Sequence, residues 1–147
     1  MPGATVLHVC LAGPGIAGNR ELVDELRFHH EVSLVTNQTR LEQSRILDDS
    51  DVLVLDAAGI RATLRPLLRS LRRRRPELPI VLVDGGLTED EKADAFTLGV
   101  LDYFPAPCPV GLLAERLEVL GRARPPETGR RHPRSSEPNG PDTIPTT

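Results

Sequence analysis

The chain has 147 residues, 39% of them hydrophobic and 3% aromatic, with a net charge of -3 and a pI near 5.8. That is the length of one domain with enough apolar material for one core, and the acidic balance and scarce aromatic rings argue against nucleic-acid binding. No stretch reaches the roughly 18–20 apolar residues of a membrane span and the first residues lack a signal-peptide pattern, so a cytoplasmic protein without membrane contact is expected.

Thr5 to Leu11, TVLHVCL, is an apolar, β-branched run that reads as a buried strand ending at a Gly-Pro-Gly turn. Asn19 stands where an N-cap belongs, ahead of a helix carrying Leu22, Val23 and Leu26 on one face. A second strand is predicted over Glu31 to Thr36 and a modest helix over Leu41 to Asp48. The run Asp51 to Asp56, DVLVLD, is almost wholly apolar, as a central parallel strand should be.

Thr63 to Arg74 repeats Leu64, Leu67, Leu68 and Leu71 at helical spacing, with Pro66 tolerated in the first turn. Arg72 to Arg75 end that helix before Pro76; cations suit the negative end of the helix dipole, and a solvated helix end is expected there rather than a nucleic-acid patch. Pro79 to Gly86 gives a fourth strand and its turn. Thr88 with Glu91 forms a capping box, opening a helix through Ala93 and Phe96 that stops at Gly99. Val100 to Phe104 is a fifth short strand, followed by a helix from Val110 to Leu120 with Val110, Leu113, Leu117 and Leu120 on one side.

Residues 1–120 are therefore predicted to form the domain. Residues 121–147, with six prolines and Ile144 as the one large aliphatic, are predicted to be a disordered Pro- and Arg-rich tail. Five strands alternating with five helices imply a doubly wound five-stranded parallel sheet covered on both faces, an α/β three-layer sandwich of flavodoxin-like type. In such sheets ligand chemistry sits at the carboxyl ends of the strands. Cys10 and Cys108 are expected to be reduced thiols, and the four histidines lack a partner set at zinc-ligand spacing.

Three stretches carry a family resemblance. DVLVLD ends in Asp56, Leu78 to Val83 follows a proline as a fourth strand, and AFTLGVLDYFPAPCPVGLLAERL runs from Ala95 to Leu117 with Gly99, Asp102, Tyr103 and Pro107 at matching places. From Thr5 to Leu120 the sequence resembles the CheY-like receiver domains of bacterial response regulators. The resemblance implies a phospho-accepting aspartate at Asp56, an acidic pair after the first strand for magnesium, a Ser or Thr after the fourth strand and a Lys after the fifth.

The ion and the lysine neutralise charge on the transferring phosphoryl group. Here the first strand ends in Cys10, Leu11 and Ala12, the hydroxyl position is Asp84, the lysine position is Ala106, and the only lysine is Lys92. Asp56 is thus a remnant acceptor position, magnesium binding is expected to be lost or weak, and Asp84 is expected to form a weakly coupled, ion-free pair with Asp56. The family's partner surface corresponds to Tyr103 on the fifth strand and to Leu112, Arg116 and Val119 on the last helix.

One motif competes. Gly13-Pro14-Gly15-Ile16-Ala17-Gly18 is a literal G-x-G-x-x-G between a strand and a helix, where dinucleotide-binding folds hold a pyrophosphate. No acid follows the second strand to bind a ribose, and Pro14 removes a loop amide. Two functions are therefore carried forward. The first is a non-enzymatic pseudo-receiver of a two-component or phosphorelay pathway, working through protein contact or a homodimer over the last helix and fifth strand. The alternative is a small nucleotide-binding regulator using Gly13, Gly15 and Gly18.

Overall fold

The structure, a computed structural model, describes residues 6–107 and 109–123; Cys108 and the tail from 124 onward lie outside the described residues. Strands β1 (His8–Ala12), β2 (Glu31–Val35), β3 (Val52–Asp56), β4 (Ile80–Val83) and β5 (Asp102–Phe104) form one parallel sheet. Their order is β2-β1-β3-β4-β5, the doubly wound arrangement with its reversal between β1 and β3. Helices are α1 (Pro14–Ala17), α2 (Arg20–Arg27), α3 (Ile46–Asp49), α4 (Leu64–Arg74), α5 (Glu89–Thr97) and α6 (Val110–Arg122).

Alternation along the strands splits the core in two. Val9, Leu11, Val52, Val54, Val81 and Val83 point toward Leu22, Leu26, Leu113 and Leu117 of α2 and α6. Cys10, Ala12, Leu53, Leu55, Ile80 and Leu82 point toward Leu64, Leu68, Leu71 and Ala95 on the other face. Both predicted caps form: Asn19 Oδ1 accepts from the Leu22 amide at 3.0 Å, and Thr88 and Glu91 bond reciprocally at 3.1 and 2.8 Å.

Four boundaries or faces differ from the sequence expectation. The helix predicted over Leu41 to Asp48 is a 3-10 segment, Gln38–Gln43, then α3, because Ser44 between them is extended and its hydroxyl accepts from the Ile46 amide. Helix α6 continues to Arg122, since Gly121 lies so close to Leu7 that a Cβ there would come within 2.7 Å of its Cδ1. In α5 the buried residue is Ala95, while Phe96 is 45% exposed.

The fourth difference is the arginine run, which is not a solvated helix end. Arg75 is buried and donates through Nη1 to the Leu47, Asp48 and Ser50 carbonyls at 2.6, 3.2 and 3.3 Å. Arg72 donates to Leu98 and Gly99 carbonyls, and Arg74 to those of Glu42 and Ser44. Helix ends leave carbonyls without intrahelical partners, and a guanidinium carries five donors in a fixed fork. The run spends those donors tying α4 to its neighbours; Arg73 alone of the four is exposed.

Candidate functional site

The carboxyl ends of β1, β3 and β4 meet at Asp56, the last residue of β3. Its side chain is not open to solvent: the residue is 2% exposed. Oδ2 accepts from the Ile16 amide at 3.2 Å and Oδ1 from the Ala58 amide at 2.9 Å. Gln38, 5% exposed, closes the third side, its Nε2 donating to the Asp56 and Ala58 carbonyls at 3.1 and 3.2 Å.

The glycine loop forms the lid of this enclosure. Gly13 holds φ +119°, and a Cβ built on it would stand 2.4 Å from Asp56 Cβ. A Cβ on Gly15 would stand 2.6 Å from Asp56 Oδ2. Real side chains never approach so closely, so only glycine lets the loop lie on the carboxyl.

That placement decides between the two uses of the motif. The Gly13 amide bonds to Val35, Ala17 to Gly13 and Gly18 to Pro14, the Ile16 amide goes to Asp56, and Pro14 has none. Four of the loop amides are thus already committed, and the Ile16 amide in particular is spent on the protein's own carboxyl rather than on a phosphate. Nucleotide binding through Gly13, Gly15 and Gly18 is not favoured.

The structure moves the substituted positions. Ala12 pairs with Leu55, so the chain beside Asp56 is Ala12 and Gly13. Cys10 and Leu11 lie further back in β1, fully buried on opposite faces of the sheet. Burial pushes the Cys10 thiol up to about 12, only partly offset by its hydrogen bond with Ser50.

Asp84 and Asp56 share no hydrogen bond; each accepts from backbone amides of its own loop or a neighbouring one. Asp84 follows β4 in a left-handed conformation, φ +59°, and its Oδ1 accepts from the Gly85 amide at 2.7 Å. Gly85 comes down on Ala57, where a Cβ would meet Ala57 Cβ at 2.7 Å. With both Asp56 oxygens taken by amides, the two carboxyls keep separate partners. Ala106 is exposed on the loop after β5, and Lys92 is held by Glu89 at 2.8 Å and lies 5.7 Å from the Tyr103 ring centroid.

A magnesium ion does not fit here. The groups facing the Asp56 oxygens are amide hydrogens, which repel a cation, and loop backbone fills the space beside them. Among the described residues, no group of three or more His, Cys, Asp or Glu is placed to hold a metal ion.

The expected partner residues lie apart from this enclosure. Tyr103 is half-buried, its hydroxyl accepting from the Leu87 amide at 3.4 Å. Leu112 and Val119 are 57% and 51% exposed on α6, and Arg116 between them is paired with Asp102 at 2.9 Å.

Comparison with known proteins fixes the architecture. The non-phosphorylated HemR receiver domain of Leptospira biflexa superposes with a TM-score of 0.70 at 18% identity, covering 83% of this chain and 99% of that one. This is the receiver-domain fold of response regulators. Within the receiver fold the sequence is also similar to the regulatory protein VirG of Rhizobium radiobacter, 27% identical over 129 residues, 85% of this chain and 47% of VirG. The chain thus spans about half the length of that curated relative. A stretch of 97 residues is 36% identical to the tRNA modification GTPase MnmE of a Bradyrhizobium, covering 60% of this chain and 21% of MnmE. No family model matches the chain.

No helix among the described residues is long and apolar enough to cross a membrane. Gln38 and the Ile16 and Ala58 amides were not visible beforehand. A lone Gln in a polar connection carries no pattern, and the glycines could be read only as a turn or a phosphate loop.

Proposed function

We propose that the chain is a receiver-fold signalling module of a bacterial two-component pathway that acts through protein contact without aspartyl phosphorylation. It is non-enzymatic, works in the cytoplasm and needs no magnesium. The observation supporting this is the enclosure of Asp56: a nucleophilic carboxyl must meet the phosphorus in line, and both oxygens here are engaged by amides beneath a glycine lid. Among the described residues, neither a lysine nor a second carboxylate is bonded to it.

Partner contact is assigned to the exposed side of α6, where Leu112 and Val119 are apolar and Arg116 between them reaches Asp102 of β5; Tyr103, on the same strand, packs toward Leu87 and Lys92 on the other face of the sheet. Capture from native lysate should recover the same partner with or without acetyl phosphate, and Leu112→Glu with Val119→Glu should abolish it. Capture that depends on the phosphodonor, or that survives the double substitution in a folded protein, would overturn the proposal.

A further inference from the structure

Away from the strand ends, His30 occupies the turn between α2 and β2 with its side chain 7% exposed. Its Nδ1 accepts the Leu7 amide hydrogen at 3.1 Å, immediately before β1. An acceptor nitrogen carries no proton, so the contact requires the neutral ring with its hydrogen on Nε2. That nitrogen faces Glu118 Oε2 of α6 at 3.6 Å, too long for a hydrogen bond but close enough for an ion pair once the ring is charged.

We propose that the His30 imidazole is a pH-operated latch: neutral, it holds the Leu7 amide at the start of β1; protonated, it releases Leu7 and turns to Glu118 on α6. Protonation puts a hydrogen on Nδ1 directly opposite the Leu7 N–H, so the two donors repel and a buried amide loses its acceptor. The strain falls where three elements join. Leu7 also accepts from the Glu31 amide at 2.9 Å, and its side chain fills the space over Gly121 of α6.

Charged groups face the ring from both packed helices and from its own turn. From α6 come Glu118, Arg122 and Glu115, from α2 Glu25, and His29 stands beside it in the turn. Glu118 favours the charged ring but is itself held by Arg122 at 2.7 Å; Arg122 and His29 oppose charging, and burial outweighs them all, lowering the midpoint below the ordinary 6.5. The unfolded chain then binds the proton more readily than the folded one, so the latch's contribution is complete above about pH 6.5 and is lost as pH falls below it.

The test is an NMR titration of the wild-type protein over about pH 5–8, with His30→Asn alongside, whose side-chain oxygen can replace the Nδ1 acceptor without titrating. The His30 ring should titrate below the ordinary 6.5, the Leu7 amide should shift with the same midpoint, and the acid-side fall in Tm should shrink in His30→Asn. The proposal fails if the Leu7 amide stays still while His30 titrates, if His30 titrates at or above the ordinary midpoint, or if a folded His30→Asn keeps the wild-type pH dependence. Should the variant not fold, the wild-type titration decides alone.

Discussion

The Ile16 amide donates to Asp56 Oδ2 at 3.2 Å, joining the first turn after β1 to the last residue of β3. In a receiver fold this is the space through which a phosphoryl group would have to approach. The same bond explains why Gly13 and Gly15, which lie on the Asp56 side chain, carry no Cβ. A buried carboxyl that satisfies two amides is a structural part.

The two loop glycines respond differently to Asp56. Gly15→Ala places a methyl against Oδ2, so it should destabilise by about 1–3 kcal/mol, and this cost should vanish in an Asp56→Ala background. Gly13→Ala meets Asp56 Cβ, which alanine retains, so its loss of about 3 kcal/mol or more should be the same in both backgrounds. Urea denaturation of the three single and two double variants measures both couplings.

Asp56→Ala alone should cost about 1–3 kcal/mol, mainly through the amide of the buried Ile16 rather than that of Ala58, an exposed residue whose amide can turn to water once the carboxyl is removed. An acceptor aspartate open to solvent would show no such loss. Equilibrium unfolding at neutral pH separates the two.

The arginine run makes a contrasting pair. Arg75→Ala removes the donor shared by three carbonyls and should destabilise by about 2–4 kcal/mol, with Arg75→Lys recovering little because an ammonium lacks the planar fork. Arg73→Ala, exposed and bonded among the described residues to the Ser70 hydroxyl, should change stability by less than about 0.5 kcal/mol. Thermal melts of the three variants suffice.

Much of this fold is legible in the sequence because its signals are local. Leu64, Leu67, Leu68 and Leu71 announce α4, the DVLVLD run announces a central strand, and Asn19 and Thr88 mark helix starts. The enclosure was legible only in part. Asp56, Gly13 and Gly15 stand out, but their contact spans about 40 residues of sequence and depends on strand register, which places Ala12 and Gly13 beside Asp56 rather than Cys10 and Leu11. The arginines misled for a similar reason: the carbonyls by which they tie α4 to its neighbours lie 25–32 residues away along the chain.

Cys10 should be chemically silent. With its thiol pushed up to about 12 by burial, it stays protonated across the usable range and gives no thiolate to react. Peptide mapping after iodoacetamide at pH values from about 7 to 9 should find Cys10 unlabelled in the folded protein and labelled in denaturant. Rapid labelling under native conditions would mean that β1 opens at Cys10.

The decisive measurement is the intact mass of the full chain after incubation with acetyl phosphate and magnesium. An Asp56 sealed by Ile16, Ala58 and the glycine lid predicts an unchanged mass. A stoichiometric gain of one phosphoryl group in the wild type that disappears in Asp56→Ala would contradict it and return the chain to phosphorylation-driven signalling.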